Sequence, residues 1–226
     1  MMLLRHLPNA LTIGNLLCGC VGIIFTLQYS TSLAAWFVWA ACVFDFLDGF
    51  AARALKVNSP IGKELDSLAD MVSFGVLPSI VMFQMMDIIS SSSILPYTAF
   101  SLAAFSALRL AKFNIDENQK DSFIGLPTPA NALFITSLVY LKGPWDTFIS
   151  NDLFLVIITF TFSFLLIAPW ELFALKFKTF DWAANKVRFT FIGISVLLLA
   201  LWQAAALPFV ILLYVLLSLW TRWVRT

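Results

Sequence analysis

Apolar residues run along the chain in stretches at about 11–29, 33–56, 61–86, 94–113, 127–142, 152–169, 187–203 and 205–223, separated by short polar breaks. Each stretch is close to the ~20 residues that an α-helix needs to cross the hydrocarbon of a bilayer. The pattern therefore predicts an all-α, polytopic bundle of about eight transmembrane helices, each pairing its backbone polar groups internally. The breaks alternate in charge. Arg5 precedes the first stretch; Arg53, Lys56 and Lys63 surround the second break; Arg109, Lys112 and Lys120 surround the fourth. Lys176, Lys178, Lys186 and Arg188 fill the sixth, and Arg222 and Arg225 close the chain. Of the fourteen Lys and Arg residues, only Lys142 falls in the other set of breaks. Because cytosolic loops are the ones enriched in Lys and Arg, both termini and the basic breaks are expected in the cytosol. Trp145, Trp170, Trp182 and Trp223 stand near the ends of spans, where amphipathic rings favour the headgroup level.

Composition agrees with this pattern. Of 226 residues, 61% are hydrophobic and 12% charged, against about a quarter charged in soluble domains, and mean hydropathy is +0.90. One integral membrane domain over residues 1–226 is expected, in a cell membrane and in contact with its lipids. A net charge of +1 provides no basic excess for nucleic acid. Cys18, Cys20 and Cys42 lie within apolar stretches and suit packing better than a disulfide or zinc site. His6 is the only histidine, leaving little material for His-based metal or triad chemistry. Arg5 and His6 before an apolar run resemble the start of a signal peptide, but no small-residue cleavage site follows, so the run is expected to be a retained first helix. Gly14, Cys18 and Gly22 have small-xxx-small spacing, which permits close packing against another helix or a second copy.

Four carboxylates interrupt stretches otherwise fit for lipid: Asp45 and Asp48 in the second, Asp66 and Asp70 in the third. Ionisable groups inside spans are costly and point to function. Spacings of i,i+3 and i,i+4 put each pair on one helix face. With the turn near Val57 to Ser59, a rise of ~1.5 Å per residue sets Asp48 level with Asp66, and Asp45 and Asp70 about one turn deeper. Four acids are thus expected to converge just below the cytosolic surface. Like charges this close repel unless cations hold them. All-oxygen ligation favours Mg²⁺ or Mn²⁺, and four acids would balance two such ions. A metal pair suits phosphoryl or diphosphate chemistry. Gly49 and Ala52 beside the first acid pair leave room for a bulky ligand, Arg53 has the planar multi-donor shape that clamps phosphate, and Gly62 keeps the approach to the third helix open.

Together these residues read D-x2-D-G-x2-A-R-x8-G-x3-D-x3-D, from Asp45 to Asp70. This resembles the signature of the CDP-alcohol phosphatidyltransferase family, with every fixed position present. The resemblance implies that Asp45, Asp48 and Asp66 hold metals, and that Asp70 is both a ligand and the base that deprotonates the acceptor alcohol. It implies that Gly49 and Arg53 touch a CDP-lipid, with Ser59, Pro8, Asn9 and Thr12 helping to bind it, and that the protein is a homodimer. Three further stretches look like the phosphatidylserine synthase branch: Asp66 to Pro78, Arg109 to Asn114, and Phe123 to Asn131. On that likeness the substrates are CDP-diacylglycerol and L-serine, with the site facing the cytosol. Serine is a zwitterion, so Arg109 is expected to pair with its carboxylate, and Asn114, or a carbonyl freed by Pro127 and Pro129 where the Gly125–Pro127 segment enters the fifth helix, to receive its ammonium. Rival readings are another acceptor (glycerol 3-phosphate or inositol phosphate), an ether-linked donor, or a transporter whose acids carry cations or protons.

Overall fold

The structure, a computed structural model, describes residues 3–57, 59–116, 122–173, 175 and 181–225. Lys120, Lys176 and Lys178 of the charge pattern lie outside the described residues. Helices occur at all eight apolar stretches, and the protein is an all-α membrane bundle. Helix α1 is Leu7–Gln28 and α2 is Thr31–Leu55. Then α3, Pro60–Asp70, runs through a π-helical segment, Met71–Val76, into α4, Leu77–Ile89. A 3-10 turn, Leu95–Phe100, leads into α5, Ser101–Ile115. After them come α6 (Thr128–Ser137), the short α7 (Asp146–Ile149), α8 (Asp152–Ile167), α9 (Trp182–Trp202) and α10 (Leu207–Arg225). Four segments are long and apolar enough to cross a membrane: Leu7–Gln28, Thr31–Leu55, Pro60–Ile89 and Asn185–Trp223. The last is a hairpin of two helices. Its break falls at Gln203, whose φ is 49°, and Phe191 and Tyr214 face each other across it with ring centroids 5.9 Å apart.

Local chemistry fixes the helix ends near the acids. Lys56 closes α2 in the left-handed conformation (φ 51°), the usual stop for a helix. Ser59 then caps α3, its Oγ accepting from Gly62 N at 3.0 Å, and Pro60 follows at the first helical position, where its missing N–H costs nothing. Further along, Pro78 deprives the Phe74 carbonyl of its α-helical donor, and the chain widens into the π turn just before it.

Hydrogen bonds between loops and helix ends sort the breaks into two sets. At one end, Lys63 Nζ donates to Asn114 O (2.6 Å) and Arg222 Nη1 to Pro169 O (3.3 Å). At the other, Tyr140 Oη donates to Ser32 O (2.6 Å) and Ser90 Oγ to Asp152 (3.2 Å). The basic breaks among the described residues gather at the first end, as the charge alternation requires. That end also carries a short ribbon the apolar pattern does not predict: β1 (Ser122–Ile124) pairs antiparallel with β2 (Glu171–Phe173). Gly125 continues it, its N–H donating to Trp170 O at 3.0 Å. Its φ is +77°, and a Cβ there would collide with the Leu166 carbonyl, so only glycine fits.

Packing of α1 is unusually close. Gly14 lies on the Phe44 ring, Gly22 between Phe37 and Leu77, and Gly19 against the Ser73 backbone. The small-residue face of the first helix is therefore occupied within the chain. Large apolar side chains such as Leu17, Phe46, Ile157 and Leu216 point outward and are mostly exposed, as a lipid-facing surface requires.

Candidate active site

Three of the four intramembrane acids converge. Ligand oxygens of Asp45 and Asp48 on α2 and of Asp66 on α3 all lie within 4.8 Å of one another, the two helices being held by packing on α1. Asp70 is buried beside them, outside this tight triplet, and is held from another helix: Asn15 Nδ2 of α1 donates to its Oδ1 at 3.1 Å. Asp48 is oriented from α1 too, Thr12 Oγ1 donating to its Oδ2 at 2.7 Å. Asp48 and Asp70 thus each have one oxygen held by a side chain of α1. Asp66 Oδ1 is buried with no hydrogen-bond partner among the described residues. An orphaned carboxylate oxygen among three converging acids, with neither His nor Cys contributing, fits a hard divalent cation.

A cavity of about 760 Å³ opens onto this cluster. All eight residues expected to hold a CDP-lipid line it: Pro8, Asn9 and Thr12 of α1, Gly49, Ala52 and Arg53 of α2, and Ser59 and Gly62 at the start of α3. Asp48 and Asp66 form part of its wall. The glycines have separate reasons. A Cβ at Gly49 would stand 3.3 Å from Arg53 Nη1, so its absence lets the guanidinium fold back along α2. A Cβ at Gly62 would meet Ser59 Oγ at 2.9 Å and Asn9 Oδ1 at 3.2 Å, so glycine lets α1 and the α3 cap approach. Lys63 and Phe113 also line the cavity; sequence reasoning took Lys63 only as a charge marker.

Phe113 is shared with a second cavity of about 460 Å³, bounded also by Arg109, Lys112, Asp116, Ile124 and Leu166. Arg109 is buried, its Nη1 donates to Thr128 Oγ1 (3.3 Å), and its Cζ lies 5.9 Å from the Phe113 ring centroid. Asn114 is already engaged, its Nδ2 donating to Ser67 Oγ (2.8 Å) and its carbonyl receiving Lys63. Gly125 and Pro127 form the turn between β1 and α6, where the Pro127 carbonyl accepts from Asn131 N at 3.0 Å. Asn15 was missed by sequence reasoning. Its only signal was a polar residue inside an apolar run, one helical turn beyond Thr12.

A family profile described as CDP-alcohol phosphatidyltransferase matches residues 5–225. The chain is 35% identical over 142 residues to the CDP-diacylglycerol–serine O-phosphatidyltransferase of Bacillus subtilis, covering 62% of this chain and 79% of that protein. It is 36% identical over 140 residues to the protein of the same name from Helicobacter pylori strain J99, covering 61% and 59% respectively. Against that of Methanocaldococcus jannaschii it is 34% identical over 152 residues, covering 67% and 68%. The chain thus spans between 59% and 79% of the length of these relatives.

Proposed function

The chain belongs to the CDP-alcohol phosphatidyltransferase family, and from that premise we propose that it transfers the phosphatidyl group of CDP-diacylglycerol to the hydroxyl of L-serine, giving phosphatidylserine and CMP. The observation that carries this reading is the coincidence of the acid triplet with a cavity lined by Arg53 and the small residues of α2. The names of the relatives support serine as acceptor.

On this reading the serine oxygen bonds to the β-phosphorus, the bond from that phosphorus to the CMP oxygen breaks, and the hydroxyl proton passes to an Asp70 carboxylate oxygen. Asp45, Asp48 and Asp66, with Asp70 at their edge, would hold the cations. Two Mg²⁺ or Mn²⁺ ions, when bound, supply neutralising charge for the diphosphate and its departing half. Arg53 pairs with phosphate, and Gly49 and Ala52 admit the headgroup. Thr12 fixes the rotamer of Asp48, and Asn15 that of Asp70, so that neither acid reorganises during the reaction. Acyl chains remain in the bilayer, while cytidine and serine arrive from the basic, cytosolic end. We also assign the chain to the cytoplasmic membrane with both termini in the cytosol, acting as a homodimer.

The test is direct. Purified protein is incubated with CDP-diacylglycerol, Mg²⁺ or Mn²⁺ and labelled serine, and the lipid product identified. Labelled phosphatidylserine with stoichiometric CMP is expected. A product formed only with glycerol 3-phosphate or inositol phosphate would move the acceptor, and cation transport across sealed vesicles without CMP release would overturn the reading.

A further inference from the structure

Buried polar groups in folded proteins are nearly always hydrogen-bonded, yet where α5 meets α6 several are not. The Asn131 side chain is fully buried, and neither its Nδ2 nor its Oδ1 has a partner among the described residues. The Ser106 hydroxyl and Arg109 Nε are in the same condition. These orphans belong to one neighbourhood. Arg109 on α5 donates to Thr128 on α6. Asn131 lies three residues beyond Thr128, and Ser106 three before Arg109, so each pair shares a helix face. Arg109 is also within electrostatic reach of Asp70. Unmet groups in such a place are costly unless a ligand or ordered water completes them.

The inventory of free groups describes the ligand. Arg109 offers an N–H and a positive charge. The Asn131 amide offers two N–H donors and one carbonyl acceptor. This combination is complementary to a carboxylate and an ammonium carried on one small molecule. A phosphorylated acceptor would instead call for several cations and would leave the carbonyl unmet. Asn114 and the Pro127 carbonyl each already hold one hydrogen bond, from Asn114 Nδ2 to Ser67 and from Asn131 N to Pro127 O, whereas both ends of the Asn131 amide are unmet among the described residues.

We infer that Asn131 is a specificity-determining residue that binds the acceptor amino acid. Its carbonyl receives the ammonium, while its amide N–H and Arg109 Nε donate to the carboxylate, leaving the hydroxyl turned towards Asp70. This inference rests on the function proposed above. The cavity bounded by Arg109, Lys112 and Phe113 is then the route by which serine approaches, separated by the Phe113 ring from the cavity that holds the lipid headgroup.

The experiment compares purified wild-type protein with Asn131→Leu and Asn131→Asp, measuring serine kinetics and, separately, the shift in melting temperature caused by CDP-diacylglycerol. Asn131→Leu should lower kcat/KM for serine at least tenfold, chiefly through KM, with the lipid-induced shift preserved. Asn131→Asp keeps an acceptor for the ammonium but sets a negative charge beside the carboxylate. It should move preference from serine towards ethanolamine, which lacks the carboxylate, by at least tenfold, and this ratio is readable even where Asn131→Leu does not fold. Serine kinetics within twofold of wild type in Asn131→Leu, a parallel loss of lipid binding, or an unchanged serine-to-ethanolamine ratio in Asn131→Asp would each overturn the assignment while leaving the transferase reading intact. A wild-type protein that makes no serine lipid overturns both.

Discussion

Substitution of Gly19 by alanine should damage catalysis from a position that touches no substrate. A Cβ on Gly19 would stand 2.5 Å from Ser73 Oγ, 2.9 Å from Ser73 Cα and 3.0 Å from Ser73 N. Two of these atoms are backbone, so rotating the Ser73 side chain relieves only the first contact, and it breaks the 2.8 Å bond from Ser73 Oγ to Asn15 O. Carbon atoms pack at ~3.5–4.0 Å, so α1 must retreat from the π segment by roughly 0.6 Å or more. Asn15 travels with α1. Its 3.1 Å bond to Asp70 would open to roughly 3.7 Å, beyond a working hydrogen bond. Overpacking of this kind costs about 1–3 kcal/mol, of which the better helix propensity of alanine returns at most ~1 kcal/mol. A 1 Å misplacement near the chemistry costs on the order of 10²-fold, so a fall in kcat of about tenfold or more is expected. The assay is turnover of CDP-diacylglycerol with serine, beside a thermal melt and lipid binding. Gly193→Ala, with nothing within 4 Å of its added carbon, is the neutral control. A Gly19→Ala protein with kcat within twofold of wild type would refute the claim that the α1 contact positions Asp70.

Activity should vanish in excess chelator and return with Mg²⁺ or Mn²⁺; undiminished turnover in chelator would remove the cation from the acid triplet. Asp70→Asn should lower kcat by about 10²-fold or more, the usual worth of a positioned base, while CDP-diacylglycerol binding, measured by melting shift, is largely kept. A wild-type rate in that variant would free Asp70 from the base role. Gly125→Ala should destabilise the fold by about 1–3 kcal/mol, read as a lower melting temperature, since the added carbon meets the Leu166 carbonyl at positive φ; an unchanged melt would show that the turn relaxes freely.

The helices were legible because eight apolar stretches stand between polar breaks, although only four segments, or five with the bent pair Gly143–Ile149 and Asp152–Ile167, are long and apolar enough to span; the acids were legible because carboxylates are conspicuous among Phe, Leu and Val. Spacing along α2 and α3 was enough to bring Asp45, Asp48 and Asp66 together. It set Asp70 beside them but could not give its partner Asn15, which depends on where α1 crosses, and that crossing is set by contacts such as Gly19 on Ser73, remote in sequence. Asn15 carries no local signature, and Asn131 only closes the Phe123 to Asn131 stretch with no role attached to it; both gain meaning from what surrounds them in space. The π turn follows from Pro78 in hindsight, but a proline early in a helix is ordinarily harmless. Strands of three residues, Ser122–Ile124 and Glu171–Phe173, are too short for alternation to register, and the face of Gly14, Cys18 and Gly22 could not reveal whether its partner was internal.

The ribbon of β1 and β2 orders the making of the protein. Helices α1 to α4 carry the acids and almost all of the wall of the larger cavity, and they are the first to be made and inserted. The β1 strand, which leads directly into the turn and helix bearing Thr128 and Asn131, finds its partner only after α8 has been synthesised and inserted and Glu171–Phe173 has emerged behind it. The nascent chain therefore makes its acid-bearing helices early and latches the start of α6 late. A ribosome stalled after α6 would display every acid of the cluster in the membrane, with nothing yet fastening the segment that bears Thr128 and Asn131.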